Sequence, residues 1–378
     1  MIGPLPHGEG QSGLWVGRVW DETAGGPAVA TLRDGILVDV TSREVATVRD
    51  LLELDDPAGW LRAAAGRPVG ALAQVADAGR LLAPCDLQAL KACGVTFARS
   101  MLERVIEERA AGDPARAEAL RSRLAGLIGA SIREIRPGSD AAATAKAALV
   151  GEGLWSQYLE VGIGPDAEIF TKAQPLSAVG YGAAVGLHPT SRWSNPEPEV
   201  VLAVSSAGRI VGATLGNDVN LRDVEGRSAL LLGKAKDNNA ACAVGPLIRL
   251  FDAGFSLDDV RRAELTLTVE GPDGFTLGGR SSMREISRDP ADLVAQTIGR
   301  HHQYPDGLML FLGTMFAPIE DRDAPGQGFT HHLGDVVTIA APGLGALVNT
   351  VALSTEAPEW TFGVGALMRN LAGRGLLT

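Results

Sequence analysis

The stretch Asn195-Pro196-Glu197-Pro198-Glu199-Val200-Val201-Leu202-Ala203-Val204 is followed by the turn Ser205-Ser206-Ala207-Gly208 and the return Arg209-Ile210-Val211-Gly212-Ala213-Thr214-Leu215. Two aliphatic, β-branched runs around a Gly-bearing turn predict a hairpin with strands at 200–204 and 209–215. Side chains repeat every two residues along a strand, so Glu197 and Glu199 share a face. Pro196 and Pro198 donate nothing to a ladder, which predicts a strand entrance or a sheet edge rather than a sheet centre. Folding the hairpin about its turn sets residue 216 opposite 197, within about two residues. Asp218, in Gly216-Asn217-Asp218-Val219, then returns beside both glutamates. Like charges side by side repel unless a cation lies between them. Three carboxylates with no sulfur or imidazole at that spacing form a hard-oxygen site, which favours Mg²⁺, with Mn²⁺ or Ca²⁺ as substitutes. The competing reading of the same residues is a solvated acidic strand end.

Outward from this hairpin, strands are expected at 264–270, 308–313 and 335–340, and a helix at 289–302 opened by Asp289-Pro290. Upstream, 14–20, 27–32 and 36–40 read as strands, with Arg33-Asp34-Gly35 as a hairpin turn. A helical stretch follows near 43–65, and Pro84-Cys85-Asp86 reads as a boundary. Helices are expected between 98 and 130, broken at Gly112-Asp113-Pro114, where Asp113 caps and Pro114 starts the second. Forty-seven glycines and twenty-one prolines suit a turn-rich chain. The expectation is a mainly β protein with helices (α+β): a small N-terminal domain over 1–88 and a catalytic domain over 89–378.

Composition excludes several classes. A net charge of −11, with no basic face carrying interleaved aromatics, argues against a nucleic-acid partner. No apolar run approaches the roughly 20 residues that span a bilayer, so no membrane association is expected. The N-terminus has neither a basic nor an apolar leader segment, and Cys85, Cys93 and Cys242 form no CxxC pair; both point to reduced thiols and a cytoplasmic location. His301-His302 and His331-His332 are adjacent pairs whose rings point apart, which argues against one shared ion. Gly279-Arg280-Ser281-Ser282-Met283 reads as a loop whose Ser281 and Ser282 hydroxyls suit a substrate carboxylate or alcohol.

Glu197-Pro198-Glu199 and Gly216-Asn217-Asp218-Val219-Asn220-Leu221-Arg222-Asp223 resemble the E-x-E and N-D-x-S-x-R-D motifs of the fumarylacetoacetate hydrolase superfamily. The resemblance continues through Gly233-Lys234-Ala235-Lys236, Leu310-Phe311-Leu312-Gly313-Thr314, Leu333-Gly334-Asp335-Val336-Val337 and Gly343-Leu344-Gly345, covering about 90–350. The Glu199-to-Asp218 interval and the block Lys234 to Pro246 look most like the 2-keto-3-deoxy-pentonate dehydratases, which act on D-arabinonate- or D-xylonate-derived acids. The resemblance implies a mixed β-roll catalytic domain, Mg²⁺ on Glu197, Glu199 and Asp218, and Lys236 rather than Lys234 as the site lysine. It further implies that Arg222, Lys236 and Thr314 face the sugar-acid substrate. Glu168-Ile169-Phe170-Thr171-Lys172 resembles the superfamily's P-E-x-F-x-K approach to the site, which makes Glu168 and Lys172 catalytic candidates.

One departure separates branches. Acylpyruvate hydrolases of the superfamily carry G-x-N-Y-x-x-H-x-x-E, whose His–Glu pair activates water. Here Gly94 to Glu103 places Ser100 at the histidine, so Glu103 lacks that base as partner. The expected activity is therefore a dehydration giving 2,5-dioxopentanoate. Glu168 leads and Glu103 follows for proton transfer, and Ser100 or Lys172 orients the carboxyl. Acylpyruvate hydrolysis, oxaloacetate decarboxylation and a non-catalytic metal-binding protein are the alternatives, and a homodimer or homotetramer is the expected assembly.

Overall fold

The computed structural model describes residues 3–5, 13–97, 101, 105–106, 109–110, 113, 135–151, 155–316 and 318–377. The N-terminal part supplies β1 (Trp15–Asp21), β2 (Gly26–Arg33), β3 (Ile36–Asp39), β4 (Arg67–Ala71), β5 (Leu81–Leu82) and β6 (Ala89–Gly94). Next come β7 (Glu168–Ala173), β8 (Ala184–Leu187), β9 (Ser194–Asn195), β10 (Pro198–Val204), β11 (Ile210–Asp218), β12 (Asn220–Leu221) and β13 (Cys242–Leu250). The chain finishes its sheets with β14 (Glu264–Glu270), β15 (Thr276–Ser282), β16 (Leu308–Phe311), β17 (Val336–Ala341) and β18 (Gly345–Leu353).

An eleven-stranded sheet runs in the order β4-β3-β2-β1-β13-β11-β10-β16-β6-β7, with β5 added to β1. A second sheet of five strands runs β15-β14-β17-β18-β8, and β9 pairs with β12 in a short ribbon. Most pairs are antiparallel, but β16 with β6 and β18 with β8 are parallel. This is the mixed α+β architecture expected, and the described strands close no barrel. Residue 88 does not interrupt the large sheet, because β1 bonds to β13 through Trp15↔Arg249 and Val16↔Ile248.

Local chemistry explains the N-terminal elements. Asp34 (φ 49°) and Gly35 (φ 77°) form a two-residue left-handed turn that matches the twist of β2 and β3. The helical stretch near 43–65 is two short helices, Val48–Glu53 and Pro57–Ala63. Thr47 and Asp50 form a capping box on the first, and the buried Asp86 carboxylate accepts from Val48 N at 2.7 Å and Arg49 N at 3.0 Å. Most of the expected 98–130 helices lies outside the described residues. Met101, Val105, Ile106 and Ala110 are buried against Tyr158, Leu159 and Ile163 of the helix Gln157–Ile163.

Three expectations are corrected. β10 lies between β11 and β16, at the middle of the sheet and not at its edge. Pro198 is tolerated there because it is the first residue of the strand, and pairing with β16 starts only at Val201↔Phe311. The 279–283 segment is not a loop: Ser281 and Ser282 end β15, which pairs with β14. The helix at 289 stops at Thr297, since Ile298 is extended and Gly299 turns to bond His302.

β10 shows how two cores meet at one strand. Val200, Leu202 and Val204 join the core shared with Leu265, Leu267, Val337 and Ile339 of the second sheet. Val201 and Ala203 join Met309, Phe311, Val48, Leu51 and Leu52 on the other face. By the two-residue period, Glu197 and Glu199 belong to this second face.

Candidate metal centre and its pocket

The β10–β11 register pairs Glu199 with Gly216 and Pro198 with Asn217, and Asp218 N donates to Glu197 O at 3.1 Å. Asp218 rather than 216 therefore lies opposite Glu197; one residue of the difference comes from the bulge at Ala203/Val204. Glu197, Glu199 and Asp218 are 1%, 1% and 2% exposed, and one carboxylate oxygen from each lies within 4.8 Å of the other two. Burial removes the reading of a solvated strand end.

Two lysines close on these carboxylates. Lys172, on β7 and fully buried, places Nζ 2.7 Å from Asp218 Oδ1 and donates to Val219 O at 3.2 Å and Lys236 O at 2.5 Å. Lys236, at the end of the helix Leu232–Lys236, bridges Glu197 Oε2 and Asp218 Oδ2, the latter at 3.1 Å. Lys234 instead lies at the surface, 3.4 Å from His188 Nε2. Glu199 accepts from Gly313 N at 2.7 Å and Thr314 Oγ1 at 3.3 Å. Burial, then the charges of Asp218 and Glu197, push the Glu199 carboxyl well above the usual carboxylate range, against the pull of Gly313 N–H and Lys236. A third carboxyl crowded against two others, with two ammonium groups already placed, marks a site that gains from added positive charge. An all-oxygen donor set of that kind can hold a hard divalent cation, and Lys236 Nζ occupies the cationic position between Glu197 and Asp218.

A pocket over Glu197, Asp218 and Lys236 is lined by Cys93, Gly94, Glu168, Phe170, Glu225 and Thr314. Glu168 pairs in register with Gly94, and a Cβ on Gly94 would fall 1.9 Å from Glu168 Oε2. Phe170 holds its ring 5.8 Å from Lys236 Nζ. The expected Glu168, Lys172, Lys236, Thr314 and the three metal candidates are thus brought together.

Other candidates lie elsewhere. Arg222, in the helix Arg222–Glu225, stacks its guanidinium 5.3 Å from the Trp193 ring and donates to Pro318 O at 3.1 Å; it is not among the pocket-lining residues. Asp223 accepts from Ser191 Oγ and Arg192 N. Ser281 donates to Met315 O at 3.4 Å and Ser282 to Glu264 Oε1 at 2.6 Å, and neither lines the pocket. Ser100 and Glu103 lie outside the described residues. His331 and Asp335 pair at 3.0 Å, and His332 meets Asp273 and Asp323. All three cysteines are buried and unpaired. Glu225 and the Phe170 ring are pocket residues that sequence reading did not single out. The only signal for Glu225 was an acidic residue one turn beyond Arg222.

Among the described residues, no helix is long and apolar enough to cross a membrane.

The family model for the fumarylacetoacetate (FAA) hydrolase C-terminal region matches residues 164–352. The chain is 32% identical over 194 residues to a probable 2-keto-3-deoxyxylonate dehydratase of Haloferax volcanii, covering 51% of this chain and 63% of that protein. It is 30% identical over 184 residues to the 2-dehydro-3-deoxy-D-arabinonate dehydratase of Saccharolobus solfataricus, covering 49% and 58%. Less than two thirds of each relative's length is therefore matched. A solved structure of 2-keto-3-deoxy-D-arabinonate dehydratase, complexed with magnesium and 2,5-dioxopentanoate, superposes with a TM-score of 0.60 at 19% identity, covering 90% of this chain and 99% of that one.

Proposed function

The chain belongs to the fumarylacetoacetate hydrolase family, and on that footing we propose that it is a hydro-lyase converting a 2-keto-3-deoxy-pentonate, of D-xylonate or D-arabinonate origin, to 2,5-dioxopentanoate. The observation that carries this reading is the buried Glu197–Glu199–Asp218 triad with Lys236 lodged against it, opening to a pocket that contains Glu168. The dehydratase names of two relatives and the magnesium–2,5-dioxopentanoate complex of a structural neighbour support the choice of reaction and of Mg²⁺, with Mn²⁺ or Ca²⁺ as substitutes. We propose also that it works as a homo-oligomer in the cytoplasm.

Bound Mg²⁺ supplies Lewis acidity at the 2-oxo acid end of the substrate. The chain's own groups do the rest. Lys236 brings a positive charge to the substrate's C2 oxygen, where negative charge grows as C3 loses its proton. Glu168, on the pocket wall, takes that proton. Lys172 neutralises Asp218 from behind and fixes the end of the Lys236 helix through its bond to Lys236 O.

The test is a coupled assay with 2-keto-3-deoxy-pentonates, acetylpyruvate and oxaloacetate, each with and without EDTA. Formation of 2,5-dioxopentanoate that stops in EDTA and returns with Mg²⁺ is expected. Glu168→Gln should lower kcat by about 10²–10⁴-fold while metal binding persists. Turnover of acetylpyruvate or oxaloacetate alone, or pyruvate and glycolaldehyde as products, would overturn the reading.

A further inference from the structure

The pocket above the metal centre adjoins a second cleft lined by Gln157, Tyr158, Val161, Ala229 and Leu232. Two side chains line both spaces: Glu168, from β7, and Glu225, from the helix that follows Asp218. They stand at the neck where the metal pocket meets the second cleft. Glu225 is 6% exposed, and its helix neighbours Arg222 and Val224 are buried as well. A carboxyl at that place borders both spaces. Its place is fixed by the same short segment, 218–225, that carries the metal aspartate.

We propose that Glu225 is a second catalytic carboxyl, acting as the acid on the leaving hydroxyl while Glu168 acts as the base at C3; this rests on the dehydratase reading above. The proton balance of that reaction calls for two groups. One must accept the proton from C3 as the electron pair moves toward the C2 oxygen. Another must give a proton to the C4 hydroxyl, so that the C–O bond breaks with water as the leaving group. The C3–C4 alkene still has to become the C5 aldehyde. A proton is lost from C5, one is gained at C3, and the resulting C5 enol gains a proton at C4 as its O–H proton leaves, with no oxidant or reductant required. One carboxyl cannot serve C3 on the metal side and C4–C5 further along the chain at once. The metal pocket holds the oxo-acid end, which leaves C4 and C5 to extend toward the neck.

The experiment follows the two half-steps separately by NMR in D₂O, using Mg²⁺-loaded enzyme and a 2-keto-3-deoxy-pentonate that the wild type dehydrates. Glu225→Gln is expected to lower dehydration by about 10²-fold or more while exchange of the C3 proton for deuterium in unreacted substrate continues. Glu168→Gln is expected to lose both. A 4-fluoro analogue, whose leaving group needs no proton, should be processed by Glu225→Gln at nearly the wild-type rate. Mg²⁺ affinity, measured by calorimetry, should be unchanged in Glu225→Gln; a merely structural residue would disturb exchange, affinity and the fluoro analogue together. Wild-type dehydration with undiminished turnover in Glu225→Gln overturns this assignment alone. A wild type inactive on every 2-keto-3-deoxy acid overturns the dehydratase reading, and this assignment with it.

Discussion

Glu199 lies directly opposite Gly216 across the β10–β11 pair, and the absent side chain at 216 is what lets the Phe311 ring pack against that strand. A Cβ at 216 would fall 2.3 Å from Phe311 Cε1 and 2.6 Å from Val201 Cγ2. The Phe311 ring therefore fills the space that a side chain at 216 would take. Gly216→Ala should cost about 1–3 kcal/mol of stability through overpacking. Thermal unfolding of the variant measures this; an unchanged Tm would show that Phe311 moves aside freely.

The three carboxylates differ in what they hold. Asp218 meets both buried lysines, whereas Glu199 is bonded to Gly313 N–H and the Thr314 hydroxyl. Asp218→Asn leaves two buried ammonium groups short of a counter-charge and should destabilise the fold by about 3–5 kcal/mol. Glu199→Gln replaces a carboxyl that burial and its acidic neighbours already push toward the neutral form, and should leave stability near wild type. Both variants should lose most divalent-cation affinity. Denaturant unfolding combined with calorimetric Mg²⁺ titration checks the pair, and equal stability of the two variants would contradict the charge assignment.

Lys236 Nζ bridges the carboxylates that an ion would need. Lys236→Met removes a resident positive charge, and Mg²⁺ affinity should rise by about tenfold, or 1.4 kcal/mol. Turnover should fall over the same substitution. A calorimetric titration showing weaker Mg²⁺ binding in Lys236→Met would mean that the lysine assists the ion rather than competing with it.

His331 and Asp335 set an acid limit on stability. Burial holds the His331 imidazole below the usual histidine value, outweighing the pull of Asp335. Burial raises the Asp335 carboxyl, but its bonds from His331 and Arg322 win and bring it to about 2. Each group binds protons more readily in the unfolded chain, so stability rises with pH through both windows. The His331 contribution is full above the imidazole's unfolded value and is lost as pH falls below it. The Asp335 contribution is lost as pH falls from the ordinary carboxylate range toward 2. His331→Gln should flatten the fall in Tm between pH 7.5 and 5.5, windows chosen to bracket about 6.5; a slope equal to wild type would exclude His331 as its source.

The triad was readable because its geometry is local: a two-residue period and one turn bring 197, 199 and 218 together. The direction of error is instructive. Proline in Pro196-Glu197-Pro198 points to a strand entrance or an edge; Pro198 does open β10, yet the strand is central, because its first residue needs no inward N–H and β16 joins three residues later. Serines at 281 and 282 looked like a binding loop, although nothing in those residues could reveal that β14 would pair with them. Lys172 and Lys236 were found through motif resemblance. Their contact with one aspartate depends on β7 lying at one end of the sheet and on a helix returning from 232, which no local pattern encodes. Glu225 was invisible for the same reason: only the folded neck gives it a position opposite Glu168.

The central placement of β10 divides the machinery into a part held on both sides and a part held at one end. The amides of Val201–Ala203 are bonded toward β11 on one side and β16 on the other, so they open to solvent only when the whole sheet does. The Lys236 helix is five residues long and is held at its C-terminal end by the bond from Lys172, while Leu232 and Gly233 at its start are not buried. Loading and release of the ion should therefore follow the swing of that short helix, with amide exchange at 232–236 sensitive to Mg²⁺ and exchange at 201–203 indifferent to it. The clock for the metal is set at the rim, on an anvil that does not give.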